Sequence, residues 1–255
     1  MQQSIGANLP GPALAFKVGT TLGKGQKAPQ KYFHESTFDA HYDARFGVRP
    51  LSHEARRMHL RALIQAYLSA MNNASMETWL MHGSLLGWHW NRRVLPWDHD
   101  LDVQVSLHDM RRLVNYHNTT FPPMESSLAR DERRYLLDIN PNWINVDTAD
   151  VGNRIDARFV DTAVGLNADI TVLHTDDHAV ARGKKNAMMC KDGHRYKYED
   201  IFPLQKTEFE GIAAQVPSSS ASVLSKEYGV GSLSNKEYGD HRFDADLGER
   251  VYKSA

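Results

Sequence analysis

Between Leu101 and Leu107 the chain alternates strictly, with Leu101, Val103, Val105 and Leu107 on one side of an extended backbone and Asp102, Gln104 and Ser106 on the other. This is the clearest strand in the sequence, and its apolar edge needs a second layer to cover it. From Ser52 to about Asn73, Leu60, Leu63, Ile64, Tyr67, Leu68 and Met71 recur at helical spacing, which predicts one buried stripe with Ser52 as the N-cap. Thr78 to His82 reads as a short buried strand that leaves into a turn at Gly83. Met110, Leu113 and Val114 predict a short helix, and Tyr135 to Ile139 a further strand. Residues 155–160 and 167–173, joined around Gly165, read as a β-hairpin, and Ser219 to Tyr228 as a helix stopped by Gly229. A polar, basic loop is expected over 175–197. Strands and helices interleave, so the expected fold is α/β of the α+β type, a single domain with a mixed sheet flanked by helices.

Along the chain this divides into a Gly- and Pro-rich flexible leader (1–30), an N-terminal helical region (31–76), the main domain (77–240) and a C-terminal tail (241–255). A KEYG string occurs at 226 and again at 236, too little to define a repeat architecture.

Composition excludes several classes. With 30 basic against 31 acidic side chains, the chain lacks the cationic excess needed to displace counterions from DNA or RNA. A single cysteine, Cys190, allows neither an internal disulfide nor a CxxC zinc site. No apolar run approaches the roughly 18 residues of a membrane span, and the first 16 residues lack the basic segment and apolar core of a signal peptide. The chain therefore reads as soluble. Gly19, Gly23 and Lys24 are spaced wrongly for a Walker A loop.

The chemistry concentrates in Asp98, Asp100 and Asp102, spaced by two at the start of the alternating strand. That spacing is expected to put three carboxylates on one face while Leu101, Val103 and Val105 anchor the other. Like charges side by side raise one another's pKa values unless a cation is present, and hard oxygen ligands suit Mg²⁺ or Mn²⁺. The competing reading, a solvated acidic edge, is weakened by the apolar residues that hold the strand. An EF-hand fails because Val103 stands where the turn needs Gly and Asp109 where a bidentate Glu belongs. Upstream, Gly83 and Ser84 combine a close backbone approach with a hydroxyl, as a phosphate-holding turn requires. A Gly-Ser turn followed by a DxD strand is a nucleotidyltransferase signature. A further carboxylate from a neighbouring strand should complete the metal site or accept a proton, and Asp169 in NADITVL fits best. An unpaired carboxylate there is costly, so Arg154 or Arg158 is its expected partner if it is structural. Asp156 and Asp161 are weaker candidates, expected in solvent or in salt bridges. Arg92, Arg93, Arg158, Lys191, His194 and Arg195 are candidate phosphate clamps. Among Trp88, Trp90 and Trp97, which could stack on a base or sugar, at least two are expected to serve packing. His174 and His178 lack a third ligand and are discounted as a metal pair.

These residues resemble the LicD and fukutin-related phosphotransferases, and within them a fungal branch similar to the yeast mannosylphosphate-transfer proteins. HGSLLGWHWNRRVLPWDHDLDVQV at 82–105 resembles the family's opening motif, RIDARFVDTAVGLNADITVL at 154–173 its second block, and YEDIFPLQKTEFEGIAAQVP at 198–217 with LSKEYG at 224–229 its C-terminal block. The resemblance covers roughly residues 77–240. It implies a nucleotidyltransferase-like fold in which Asp98, Asp100 and Asp102 bind metal and diphosphate, Asp169 is the further catalytic acid, and Gly83 and Ser84 hold nucleotide phosphate. It also implies transfer of phosphocholine, an alditol phosphate or a mannosyl phosphate from a CDP- or GDP-linked donor to a glycan hydroxyl. His99 stands where bacterial members often have Asp, which bears on metal preference, and Ala168 where Ile or Val is common. Fungal relatives are expected to be anchored in the Golgi, and sequons at Asn73 and Asn118 are compatible with a luminal setting. Two other readings stand beside this one. One is a DxD glycosyltransferase that releases nucleoside diphosphate; the other is a non-catalytic regulator of a partner transferase.

Overall fold

In the computed structural model, which describes residues 30–121 and 134–253, the alternating segment forms β2 (Leu101–Ser106), with Leu101, Val103 and Val105 buried. It pairs antiparallel with β1 (Thr78–Leu80) and parallel with β6 (Asn167–Thr175). Beyond β6 lie β5 (Ala157–Asp161), β4 (Tyr135–Ile139) and β3 (Thr120–Phe121), giving the order β1-β2-β6-β5-β4-β3 with β2 and β6 its parallel pair. The expected mixed sheet flanked by helices is therefore present. β6 is buried along all but its last residue, as a strand covered on both faces must be.

α1 (His53–Asn73) packs on β5 and β6 through the expected stripe, and the Ser52 hydroxyl caps it by accepting from the Ala55 N–H. Each large aliphatic buried there contributes about 1.5–3 kcal/mol. Tyr67 meets Phe159 edge-on at 5.6 Å and shares a hydrogen bond with the Thr78 hydroxyl at 2.8 Å. A hairpin of β9 (Gln205–Phe209) and β10 (Ile212–Val216) packs under α1 and β1, and α6 (Ser220–Tyr228) packs against α2 (His82–Asn91). α3 (Leu107–Leu113) follows β2 directly, with Ser106 as its cap. Among the described residues no helix is long and apolar enough to cross a membrane.

Four expectations are corrected. The strand expected over Thr78–His82 ends at Leu80, because His82 takes a left-handed φ of 47° and starts α2, so Gly83 and Ser84 lie in a helical first turn. The region 31–76 is helical only from His53. Before that the chain crosses the sheet through a bridge from Tyr42 to Leu166 and a bond from the Asp43 N–H to the Gly165 carbonyl at 2.8 Å. Gly165, at φ +86°, permits this approach, since a Cβ there would come within 2.5 Å of the Gly47 nitrogen. The stretch 175–197 is not a plain loop, for it contains α4 (Asp177–Ala181), capped by Asp176, and a hairpin of β7 (Ala187–Met189) and β8 (Arg195–Lys197) that extends β6. The tail assigned to 241–255 forms β12 (His241–Asp244) and β13 (Glu249–Tyr252), which join β11 (Glu237–Tyr238) in a separate antiparallel sheet that crosses the expected boundary at 240. The leader lies outside the described residues except for Gln30.

Candidate active site

The site lies where α2 begins and β2 runs beside β6. Strand register sets Asp102 opposite Asp169, Asp169 opposite Arg158, and Arg158 opposite Asp138, so four charged side chains cross the sheet in one row on one face. The Arg158 Nε donates to Asp169 Oδ1 at 2.8 Å, and its guanidinium lies 4.8 Å from the centre of the Phe33 ring. Asp138 accepts from the Tyr32 hydroxyl at 2.7 Å and pairs with Arg45 at 2.7 Å.

Asp98 and Asp100 come from the loop before β2. Only Asp102 of the three lies in the strand, so the expected single strand face is corrected: the Asp98 N–H bonds to the Leu95 carbonyl at 3.1 Å in a turn, and the backbone straightens at Leu101. The turn nevertheless gathers the charges. Burial, then the neighbouring Asp100, pushes Asp98 up to about 7. Burial and Asp169 raise Asp100. Asp102 is driven well above the ordinary carboxylate range by burial and Asp100, against the opposing pull of His82. Among the described residues no Lys or Arg forms an ion pair with these three carboxylates; Asp100 meets only the edge of His41, at 3.9 Å, while Asp39 links His41 to His99. Arg56 reaches in from α1 but donates to the Asp98 backbone carbonyl at 3.1 Å.

Gly83 lies against two of the three carboxylates. Its N–H donates to Asp102 Oδ2 at 3.2 Å, and a Cβ on it would sit 3.4 Å from that oxygen and 3.8 Å from both carboxylate oxygens of Asp98. Ser84 serves a different purpose from the expected phosphate contact: its buried hydroxyl accepts from the Asp102 N–H at 2.9 Å and pins α2 to β2. A cavity of about 480 Å³, within the range of small-molecule sites, opens beside Gly83 and Asp98 and is lined by Trp90, Trp97, Tyr228, Tyr238 and Arg250. The Arg250 guanidinium lies 4.0 Å from the Trp90 ring centre and 5.3 Å from that of Trp97.

Other candidates fall elsewhere. Arg92 caps α2 in a left-handed conformation and stacks on Trp88 at 3.9 Å, and Arg93 pairs with Glu249. Both line a depression of about 590 Å³ with Arg61, Glu208 and Glu210 that contains none of the site carboxylates. His194 lies against His82, ring centres 4.5 Å apart, beside Asp192 and Glu227. Burial favours a neutral His82, but Asp192 and Glu227 outweigh it and carry its pKa to about 10. Lys191 is fully buried and donates to the Asn142 carbonyl, and Arg195 holds Asp176. Asp156 is buried rather than exposed, accepting from the Val172 N–H, and Asp161 is paired with His59. His174 and His178 join no metal-sized cluster among the described residues. Two of the three tryptophans line the cavity, while Trp88 packs and bonds Thr207.

Sequence reasoning missed His41, His82, Tyr228, Tyr238 and Arg250. The duplicated KEYG string was a usable signal, since each copy supplies one cavity tyrosine.

A mixed sheet whose glycine-led helix faces a cluster of carboxylates is the arrangement of a nucleotidyltransferase domain. The chain belongs to the LicD/FKTN/FKRP family: residues 75–219, more than half of it, match that family's nucleotidyltransferase domain. It is 31% identical over 140 residues to mannosyltransferase regulator 4 of Saccharomyces cerevisiae, covering 52% of this chain and 11% of the relative. Against mannosyltransferase regulator 14 of the same yeast it is 32% identical over 179 residues, 63% of this chain and 18% of the relative. Against the mouse ribitol 5-phosphate transferase FKRP it is 23% identical over 188 residues, 70% of this chain and 33% of the relative. The chain thus spans a third or less of the length of these proteins.

Proposed function

We propose that this chain is a metal-dependent phosphotransferase that moves a phosphorylated group from a CDP- or GDP-linked donor to a glycan hydroxyl. The observation that carries the reading is the cluster of Asp98, Asp100 and Asp102, two of which flank Gly83: hard oxygen donors, their pKa values raised by burial and by neighbouring carboxylates, with no Lys or Arg paired to them among the described residues. Such a donor set fits Mg²⁺ or Mn²⁺. Asp98, Asp100 and Asp102 would hold the ion, which supplies positive charge to the donor diphosphate, and Asp169 is left to take the acceptor proton.

Phosphoryl transfer asks little covalent chemistry of a protein, so positioning and electrostatics dominate. The acceptor oxygen forms a bond to the donor phosphorus, the bond from that phosphorus to the bridging oxygen breaks, nucleoside monophosphate departs, and the acceptor proton passes to Asp169. Arg158 orients Asp169 through its Nε. Trp90, Trp97, Tyr228 and Tyr238 offer flat faces to a base or sugar, and Arg250 adds positive charge at the cavity.

The names of the two yeast relatives favour a second reading, a regulator that binds a partner mannosyltransferase without turnover. A donor screen separates the two. Purified protein is offered CDP-choline, CDP-ribitol, CDP-glycerol and GDP-mannose with Mg²⁺ or Mn²⁺, and released nucleotide is identified, with Asp100→Ala as control. CMP or GMP released only with metal and lost in the variant is the expected result. GDP from GDP-mannose would instead indicate glycosyl transfer, and metal binding without release, across a panel of glycan acceptors, the regulator.

A further inference from the structure

Three segments far apart in sequence meet at His82, at the start of α2, Asp192 and His194, in the turn before β8, and Glu227, near the end of α6. One ligand atom each from His82, Asp192 and His194 lies within 4.8 Å of the others. His82 Nε2 is 3.6 Å from Asp192 Oδ2, and His194 Nδ1 is 3.1 Å from Asp192 Oδ1. Ligand atoms held about 2.0–2.1 Å from a tetrahedral ion lie roughly 3.4 Å apart, and the two separations, each to a different oxygen of Asp192, fall on either side of that value.

Two independent features point the same way. The ring nitrogens that face Asp192, His82 Nε2 and His194 Nδ1, are both buried and lack a well-aligned hydrogen bond, and Asp192, close to both, has its carboxyl held, against the opposing effect of burial, well below the usual carboxylate range by them. The opposite nitrogens face Glu227: His82 Nδ1 is hydrogen-bonded to Glu227 Oε1, and His194 Nε2 lies 3.6 Å from the same oxygen. A carboxylate behind each imidazole, with bare nitrogens turned to a common point, is how proteins orient metal-binding histidines.

We propose that His82, Asp192 and His194 form a transition-metal site, oriented by Glu227 and suited to Zn²⁺ by its imidazole donors. It is distinct in ligands and in metal preference from the carboxylate cluster. His194, whose side chain is 43% exposed, leaves an entry path. The ion would clip the turn before β8 and α6 to the start of α2, one residue before the Gly83 N–H that meets Asp102.

The full chain is stripped with a chelator and titrated with Co²⁺ and Zn²⁺ in excess Mg²⁺. The expected result is one Co²⁺ per chain with the visible absorption of a tetrahedral site, displaced by Zn²⁺, and a melting temperature raised by Zn²⁺. Asp100→Asn should keep this site, whereas His194→Ala and Asp192→Asn should lose it; the amide oxygen introduced by Asp192→Asn still accepts from the His194 N–H, so the turn survives. Glu227→Gln should weaken binding roughly 10–100-fold. Circular dichroism confirms that each variant is folded, and the half-exposed His194 allows the test even if another variant is not. The proposal is overturned if the stripped protein shows no tetrahedral Co²⁺ spectrum, if folded His194→Ala binds as well as the parent, or if binding is lost in Asp100→Asn instead.

Discussion

The charge row across the sheet has two unlike ends. At one, Asp138 and Asp169 face Arg158, with Arg45 and the Tyr32 hydroxyl completing the network, and every carboxylate has a partner within 2.8 Å. At the other, Asp102 meets Asp98 and Asp100 from the preceding loop without a paired Lys or Arg among the described residues, and burial with the repulsion of neighbouring carboxylates raises all three. Burying charge with its partner builds a rigid sheet; burying it without one leaves a strong demand for a cation that no Lys or Arg among the described residues meets by an ion pair. The difference separates the framework from the chemistry, although both ends stand on one sheet.

The contrast can be broken most severely at its paired end. Arg158→Met strands Asp169 in a buried position and should cost about 3–5 kcal/mol in urea unfolding, with the double variant carrying Asp169→Asn recovering much of it. At the unpaired end, Asp100→Asn should lower metal-dependent nucleotide release by about 100-fold or more while leaving metal-free stability unchanged or higher, because repulsion is relieved. Equal destabilisation by the two variants would erase the distinction.

Acidity sharpens it next. The folded pKa of Asp98 is about 7, above its unfolded value near 3.9, so the native state holds a proton that the unfolded state has lost between those limits. Metal-free stability should therefore fall as pH rises from about 4 to about 7, and Mn²⁺ affinity should rise over the same window as the cation replaces the proton. Melting curves with and without Mn²⁺ read both slopes, and Asp98→Asn should flatten them. The smallest effect is expected at the cavity wall, where Trp97→Ala should raise the donor KM about tenfold with kcat nearly unchanged; a loss confined to kcat would remove Trp97 from donor binding.

Local pattern made much of this legible. The α1 stripe, the Ser52 cap, β2 and the β5–β6 hairpin each follow from periodicity within one segment, and Asp98, Asp100, Asp102 and Asp169 were visible as carboxylates set among residues that must be buried. A carboxylate on a buried strand needs a partner, which the sequence narrows to Arg154 or Arg158, and strand register selects Arg158. Arg92 and Arg93 misled, since proximity in sequence to Gly83 says nothing about which way the end of a helix turns, and there Trp88 and Glu249 claim them. Arg250 and His41 were invisible because the segments that carry them show no strong period and acquire meaning only when they fold over the site.

The sequence by itself determined the elements and the acidic cluster, because hydrophobic period and the cost of buried charge act along a single segment. Tertiary structure alone decided which charges are matched. Strand register puts Arg158 opposite Asp169 and leaves Asp102 beside it with no paired Lys or Arg among the described residues, and a left-handed turn at His82 aims Gly83 at Asp102. Electrostatic pairing depends on separations of a few ångströms between segments distant in the chain, and those distances exist only once the sheet has closed.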